Sequence, residues 1–155
     1  MATQYTAGLS AGQILPAATM NQIGAAWETW TPVLAASTTN PTLGTGGSTS
    51  GRWGRIQKIV TGFGKIQFGT AGTNAGSGFY TVSLPTAAQA ATVVTPIGTV
   101  YLADGGVNVR VGVLIATATT ACTMRFDAGG LVFNNAPWVW GANSLILYQF
   151  TYEAA

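Results

Sequence analysis

Histidine is absent from this 155-residue chain, and cysteine occurs only once. Without histidine the usual general base of many hydrolases is missing, and a single cysteine can form neither an intrachain disulfide nor a zinc site. The acidic residues are few and scattered; they are Glu28, Asp104, Asp127 and Glu153. Two of these carboxyl groups could form a glycosidase pair only if folding happened to bring them together. The sequence therefore predicts a protein that is not an enzyme, with no catalytic residue, no cofactor and no metal, although a calcium site at Asp104 or Asp127 stays open.

Charged side chains are also scarce, at 6% of the residues, where a soluble domain usually has about a quarter. Threonine, serine, glycine, asparagine and alanine take their place, and such a surface costs little to remove from water. This composition favours a protein that packs against copies of itself or against a larger assembly. The alternative is a monomer with a polar but uncharged surface.

Several partners and compartments are not indicated by the sequence. The net charge of +2 is too small to predict binding to nucleic acid. No stretch approaches the roughly 18 apolar residues of a membrane-spanning helix, and the N-terminus lacks the basic and apolar segments of a signal peptide. Cys122 lies in a strand-like run and is predicted to be a small buried apolar residue. We therefore expect no membrane partner and a chain that can fold in a reducing cytoplasm.

The first 26 residues predict an arm that contains one short helix. Pro16 fits the first turn of a helix, Met20 and Ile23 share one face, and Gly24 can end the helix. Two helical turns are not stable alone in water, so this arm must dock on its own domain or on a partner. The predicted anchoring residues are Ile14, Leu15, Pro16, Met20 and Ile23.

From residue 27 the apolar pattern changes to the alternation that is typical of β-strands. The segment "RWGRIQKIVTGFGKIQFG" predicts two antiparallel strands or one long bent strand, with Gly62 and Gly64 allowing bulges or close packing. Asp104, Gly105 and Gly106 predict the turn of a hairpin, and "GTGGSTSG", residues 44–51, predicts a flexible surface loop. Seven to nine short strands predict an all-β domain over residues 27–155, an antiparallel β-sandwich or jelly roll preceded by the arm of residues 1–26.

Four of the six basic residues lie within a window of 14 residues, and they are Arg52, Arg55, Lys58 and Lys65. Basic residues interleaved with aromatic ones can bind single-stranded nucleic acid. However, strand alternation sends Arg52 and Trp53 to opposite faces, and it also separates Arg55 from Lys58. A solvated face or polar contacts between subunits is therefore the favoured interpretation of this cluster.

The tryptophans are the candidate anchors of the β-domain. Trp138 and Trp140 are two residues apart and share one face of an extended segment, so they could stack on a carbohydrate if exposed or serve the core or an interface if buried. Pro137 precedes them and an apolar strand follows, which favours a segment that enters the sheet. The predicted interface or core anchors are Trp27, Trp30, Trp138 and Trp140.

Several short segments resemble the β-rich domains of tailed-bacteriophage virion proteins, the minor tail, tail-fibre, head-fibre and capsid-decoration proteins. The similarity covers residues 27–155, and the matching segments are "TWTPVL", "NPTLGTG", "GRWGRI", the strand end "SLP" and the final "TYEAA". The resemblance implies a component of the virion, a β-sandwich fold and commonly a homotrimer. It implies no catalytic residues.

The expected function is decoration of a phage capsid, with the arm docked on the shell and the particle stabilised by the contact. The arm is short and has no heptad pattern, which favours a protein seated directly on a shell over the tip of a long fibre. The expected partners are copies of the same chain in a homotrimer, the major capsid protein or another virion protein, and a host-surface glycan. We expect synthesis in the host cytoplasm and a final position on the particle surface.

Two other functions stay open at this stage. The chain could be a tail or fibre adhesin that binds a host saccharide through the region of Trp138 and Trp140. A glycan-cleaving enzyme is a more distant alternative.

Overall fold

A computed structural model describes residues 27–86, 89–127 and 129–155 of the chain, and all of the regular elements in these ranges are β-strands. The strands are β1 (Glu28–Trp30), β2 (Leu34–Ala36), β3 (Ser48–Ile56), β4 (Ile59–Gln67), β5 (Tyr80–Ser83), β6 (Thr95–Asp104), β7 (Asn108–Ala118), β8 (Ala121–Phe126), β9 (Gly130–Leu131) and β10 (Leu145–Glu153). The predicted all-β class is confirmed. Ten strands exceed the expected seven to nine because β1, β2 and β9 have only two or three residues, too few to show an alternation. The predicted arm and its helix lie outside the described residues.

The strands form one antiparallel sheet in the order β1-β3-β4-β10-β6-β7-β8-β5-β2, with β9 paired to β8. Strands β1 and β2 are the two edges of this order, yet only residues 31–33 separate them in the chain. Because so short a link must bring the two edges close together, the sheet is curled. The expected antiparallel pairing is confirmed, and the finer form of a sandwich or jelly roll stays a prediction.

Two hairpins of the sheet, β3–β4 and β6–β7, form where the sequence pattern allowed them. The segment that allowed one bent strand or two strands forms two, β3 and β4, joined by a turn at Gln57 and Lys58. The hairpin of β6 and β7 is confirmed, and its turn places Gly105 and Gly106 at positive φ angles. The flexible loop predicted for residues 44–51 was wrong in its second half, since residues 48–51 belong to β3 and pair with β4.

The core lies on the inner side of the curled sheet. Strand β10 alternates strictly, and it turns Ile146, Tyr148, Phe150 and Tyr152 inward. The Tyr148 hydroxyl donates a hydrogen bond of 3.2 Å to the carbonyl of Ser83 at the end of β5, so side chains of β10 cross the core to the other part of the sheet. Burial raises the pKa values of the tyrosines at positions 80, 148 and 152, because the charged phenolate would lose its water.

Cys122 is fully buried in this core, as the sequence predicted. Burial raises the pKa of its thiol to about 12, because the thiolate is poorly solvated among apolar side chains. The residue is therefore a small apolar filler and not a reactive thiol at neutral pH.

Two glycines of β4 allow the aromatic rings of β10 to lie directly on the backbone. Gly62 is paired with Phe150, and Gly64 is paired with Tyr148. A β-carbon at Gly62 would lie 2.6 Å from the Phe150 ring, and one at Gly64 would overlap the Tyr148 ring. The close packing that the sequence predicted for these glycines is confirmed.

Candidate binding surface

Trp138 and Trp140 lie in the loop between β9 and β10 and not in the sheet, so the expectation that they enter the sheet was wrong. Two hydrogen bonds within the loop hold Trp140 without a strand partner. The backbone nitrogen of Trp140 donates to the Asn134 carbonyl, and its indole nitrogen donates to the Phe133 carbonyl at 2.9 Å. These bonds hold the extended segment in place of a ladder of strand pairs.

Trp140 is a core residue, with 2% of its surface exposed. Its ring centroid lies 6.1 Å from that of Phe68, 5.8 Å from that of Tyr80 and 5.6 Å from that of Trp138. Trp138 is partly buried against the same core. The carbohydrate platform considered for this pair is therefore not formed, because the Trp140 face is covered by other aromatic rings.

The other two predicted anchors have different surroundings. Trp30 is half-buried, and its ring meets Tyr148 and Phe150 edge to face at centroid distances of 6.3 and 6.1 Å. Trp27 is 46% exposed on the opposite side of the sheet. Of the four tryptophans predicted as anchors, Trp27 is thus the most exposed to contact with another molecule.

The side of the sheet that faces away from the core forms a broad surface across β3, β4, β10, β6 and β7, which we call the outer face. Strand pairing arranges its side chains in rows. One row contains Arg52, Phe63, Gln149, Thr99 and Val113, and the next contains Ser50, Lys65, Leu147, Tyr101 and Val111. The outer face therefore joins residues that are up to 99 positions apart in the sequence.

The outer face carries large apolar side chains in contact with solvent. Phe63, Tyr101, Val111, Val113 and Leu147 are between 37% and 62% exposed. An open groove of about 530 Å³ runs past Phe63, Tyr101 and Leu147. A second groove of about 350 Å³ is lined by Trp27, Phe63 and Thr151. Phe63, Thr99 and Gln149 border both grooves, so their row forms a ridge between them, with Phe63 as its large side chain.

An aromatic and cationic cluster lies at the β1 side of the outer face. The Trp27 and Phe63 ring centroids are 5.8 Å apart, and the Arg52 guanidinium lies 5.9 Å from the centroid of the Trp27 ring. This is the distance range of cation–π contacts. The cluster forms because Thr29 pairs with Arg52, which in turn pairs with Phe63.

Sequence reasoning separated Arg52 from Trp53, and the structure places Arg52 outside and Trp53 in the core. It missed that the β3–β4 hairpin sets Arg52 directly beside Phe63. Counting back from the turn at Gln57 and Lys58 would have given this pairing, but the sequence left open whether a turn existed there.

The basic cluster is divided between two places. Arg52 and Lys65 lie on the outer face, whereas Arg55 and Lys58 lie at the β3–β4 turn. At the turn the Arg55 side chain donates to the Gln57 carbonyl. The continuous basic and aromatic track that would suit a single-stranded nucleic acid is therefore not formed by these four residues.

The acidic residues occupy four separate positions. Asp104, at the β6–β7 turn, accepts hydrogen bonds from the backbone and side-chain nitrogens of Asn108, and these bonds lower its pKa. The Asp127 carboxylate forms a salt bridge with the Arg110 guanidinium, with Oδ2 lying 3.3 Å from Nε. Glu28 belongs to β1, and Glu153 ends β10. The described residues contain no group of three or more histidine, cysteine or acidic side chains that could hold a metal ion.

No protein-family model, curated protein or solved structure matches this chain. A helix able to cross a membrane is not found in the described ranges. The outer face, with its apolar side chains, two open grooves and few charges, is the surface from which a function can be inferred. Its chemistry suits the binding of another macromolecule by apolar contact.

Proposed function

We propose that this protein is a non-enzymatic structural component of a tailed-phage particle, which decorates the capsid surface and stabilises it by binding. The observation that carries the proposal is the outer face. The solvated side of an antiparallel sheet is normally polar, but at least five large apolar side chains are exposed on this one. Contiguous exposed apolar surface of this kind marks sites of protein–protein contact.

The low charge of the chain supports the same function. A surface of threonine, serine and apolar side chains loses less hydration energy than a charged surface when another chain covers it. Burial of apolar area contributes about 25 cal/mol per Å² before the entropy of association is subtracted. A decoration protein would use this free energy to hold neighbouring parts of a shell together.

The fold of the proposed decoration protein is a β-sandwich, the form that the phage resemblance implies. The hydrogen bond from Tyr148 on β10 to Ser83 at the end of β5 supports two packed layers, since it spans the core between distant parts of the curled sheet. The resemblance further implies a homotrimer on the particle surface, assembled after synthesis in the host cytoplasm.

Residues 1–26 are proposed to fasten the domain to the major capsid protein or to another virion protein. Their predicted anchors, Ile14, Leu15, Pro16, Met20 and Ile23, lie outside the described residues. Deleting residues 1–26 tests this role. We expect residues 27–155 to stay folded, because the core described above is built from positions 34 to 154, and to lose binding to purified particles that lack the protein.

A full-length Met20→Ser/Ile23→Ser variant provides a second test of the arm that keeps its length, and Thr19→Ser is its matched control. Co-sedimentation with particles measures the binding of each protein. If the truncated protein sediments with particles as well as the complete chain does, the anchoring role is wrong.

A host-saccharide adhesin is the second candidate function, and one observation favours it. Trp27, Phe63 and Arg52 form an exposed aromatic and cationic cluster, and aromatic rings are frequent in saccharide sites. The Trp138 and Trp140 region does not favour it, since Trp140 is buried. The purified protein should then bind host cells, and a Trp27→Ala variant should not. Equal binding to cells stripped of surface polysaccharide would rule this candidate out.

A further inference from the structure

We infer that the outer face is the surface through which copies of this chain contact one another, with the Lys65 end of one face against the Glu153 end of the next. The inference rests on the proposed structural function and identifies the partner of its main surface. It also names the residues that set the relative orientation of the two copies.

The size of the outer face fits a contact between copies. Five neighbouring strands of nine to eleven residues cover roughly 24 Å by 30 Å at the usual spacing and rise of strands. This is about 700 Å², close to the roughly 800 Å² that each partner contributes to a standard stable interface. A single saccharide chain would cover much less of it.

The relief of the outer face is self-complementary. Phe63 forms a ridge with grooves of about 350 and 530 Å³ on its two sides. A second copy offers the same ridge and the same grooves, so the Phe63 side chain of one copy can fill a groove of the other. Close packing of this kind at the centre of a patch is typical of stable interfaces.

Charge gives the contact its orientation. Lys65 and Glu153 both point outward, and Lys65 is paired in register with Leu147, six residues before Glu153 on β10. The two charges are therefore about 20 Å apart along the strands. Neither has an ion-pair partner among the residues that the structure describes, whereas Arg52 is already held over the Trp27 ring.

A second copy that presents its Glu153 end to Lys65 supplies the missing counter-charge. In a two-fold pair this happens twice and one partner covers the whole face, whereas in a three-fold ring it happens once at each contact and each chain shares its face between two neighbours. The same complementarity therefore serves both arrangements.

Charge reversal in the complete chain tests this contact. Sedimentation velocity and light scattering at micromolar concentrations should show that the wild type contains more than one chain. Lys65→Glu and Glu153→Lys should each weaken association roughly tenfold, because each replaces attraction by repulsion. The double variant, Lys65→Glu with Glu153→Lys, should recover association close to that of the wild type. Recovery is not expected if either residue acts only within its own fold.

Leu147→Asp tests the apolar part of the same contact. It places a charge beside the larger groove and should give a single-chain mass. Val139→Asp is the matched control, since Val139 is 74% exposed in the β9–β10 loop and lies outside the outer face. Circular dichroism checks that each variant is folded.

Two results would overturn the inference. One is a single-chain mass for the wild type at every concentration, and the other is a double variant that associates no better than the worse single variant. If the outer-face variants then fail to bind host cells that the wild type binds, the outer face is a saccharide-binding surface. Particle co-sedimentation separates the two proposals, because a single-chain Lys65→Glu protein that still binds particles leaves the decoration function intact.

Discussion

Replacing Trp140 by alanine should be among the most damaging single changes in the β-domain. The ring is stacked at 28° to Phe68, contacts Tyr80 and Trp138, and donates its indole hydrogen to the Phe133 carbonyl. Alanine would remove all four interactions at once. The loop from β9 to β10 would then lose the side chain that fastens it to the core.

The expected magnitude follows from burial. Removal of a buried aromatic side chain typically costs about 3 to 5 kcal/mol of unfolding free energy, through lost transfer energy and the remaining cavity. Trp140 should lie in this range because only 2% of its surface is exposed. For a domain of about this size each kcal/mol lowers the melting temperature by about 3 °C, so a decrease of about 10 to 15 °C is expected.

Thermal unfolding followed by near-ultraviolet circular dichroism measures the effect, with Trp27→Ala as the control. Trp27 is 46% exposed and lies on the outer face, so its loss should change the melting temperature by no more than about 3 °C. A Trp140→Ala protein that melts as late as the wild type would refute the placement of this ring in the core. Trp140 would then again be a candidate surface residue for binding a saccharide.

Two further predictions concern the sheet and its core. Gly98→Ala should cost about 1 to 3 kcal/mol of unfolding free energy in a denaturant titration, because the new methyl group would overlap the Gln149 carbonyl on β10. Gly141→Ala is the control. It should be nearly neutral, because no atom lies within 4 Å of its new methyl group. The Cys122 thiol has a pKa of about 12 in the fold and about 8.5 when unfolded, so its contribution to stability is complete below about pH 8.5 and is lost as pH rises from there toward 12. The destabilisation measured for Cys122→Ala should therefore shrink between about pH 8 and pH 10, and a constant difference would contradict the burial of the thiol.

Alternation along the chain was enough to predict the strands that face both the core and solvent. In β10 aromatic and polar residues alternate from Tyr148 to Glu153, and the structure buries Tyr148, Phe150 and Tyr152 as the pattern indicates. The β6–β7 turn could also be predicted, because Gly105 and Gly106 can adopt positive φ angles. Local patterns of this kind depend only on neighbours in the sequence.

The outer face could not be predicted because it depends on which distant strands pair. Strand β10, the last in the chain, lies between β4 and β6, and this order alone places Leu147 between Lys65 and Tyr101. Alternation gives the direction of each side chain but not the identity of its neighbour across the sheet.

The Trp138–Trp140 loop was misassigned for a related reason. An apolar and aromatic segment beside a strand has the composition of a strand, but here Trp140 bonds within the loop, its backbone nitrogen to Asn134 and its indole nitrogen to Phe133. Hydrogen bonding of this kind is specified by tertiary packing of the rings and leaves no periodic signal.

Electron microscopy of purified phage particles that carry this protein tests its proposed function most directly. We expect density for the curled β-domain on the outside of the capsid, in copies that meet through Phe63, Leu147 and the Lys65–Glu153 contact, with residues 1–26 directed toward the shell. Particles that contain no copy of the protein, or density confined to the tip of a tail fibre with the outer face turned to solvent, would contradict it.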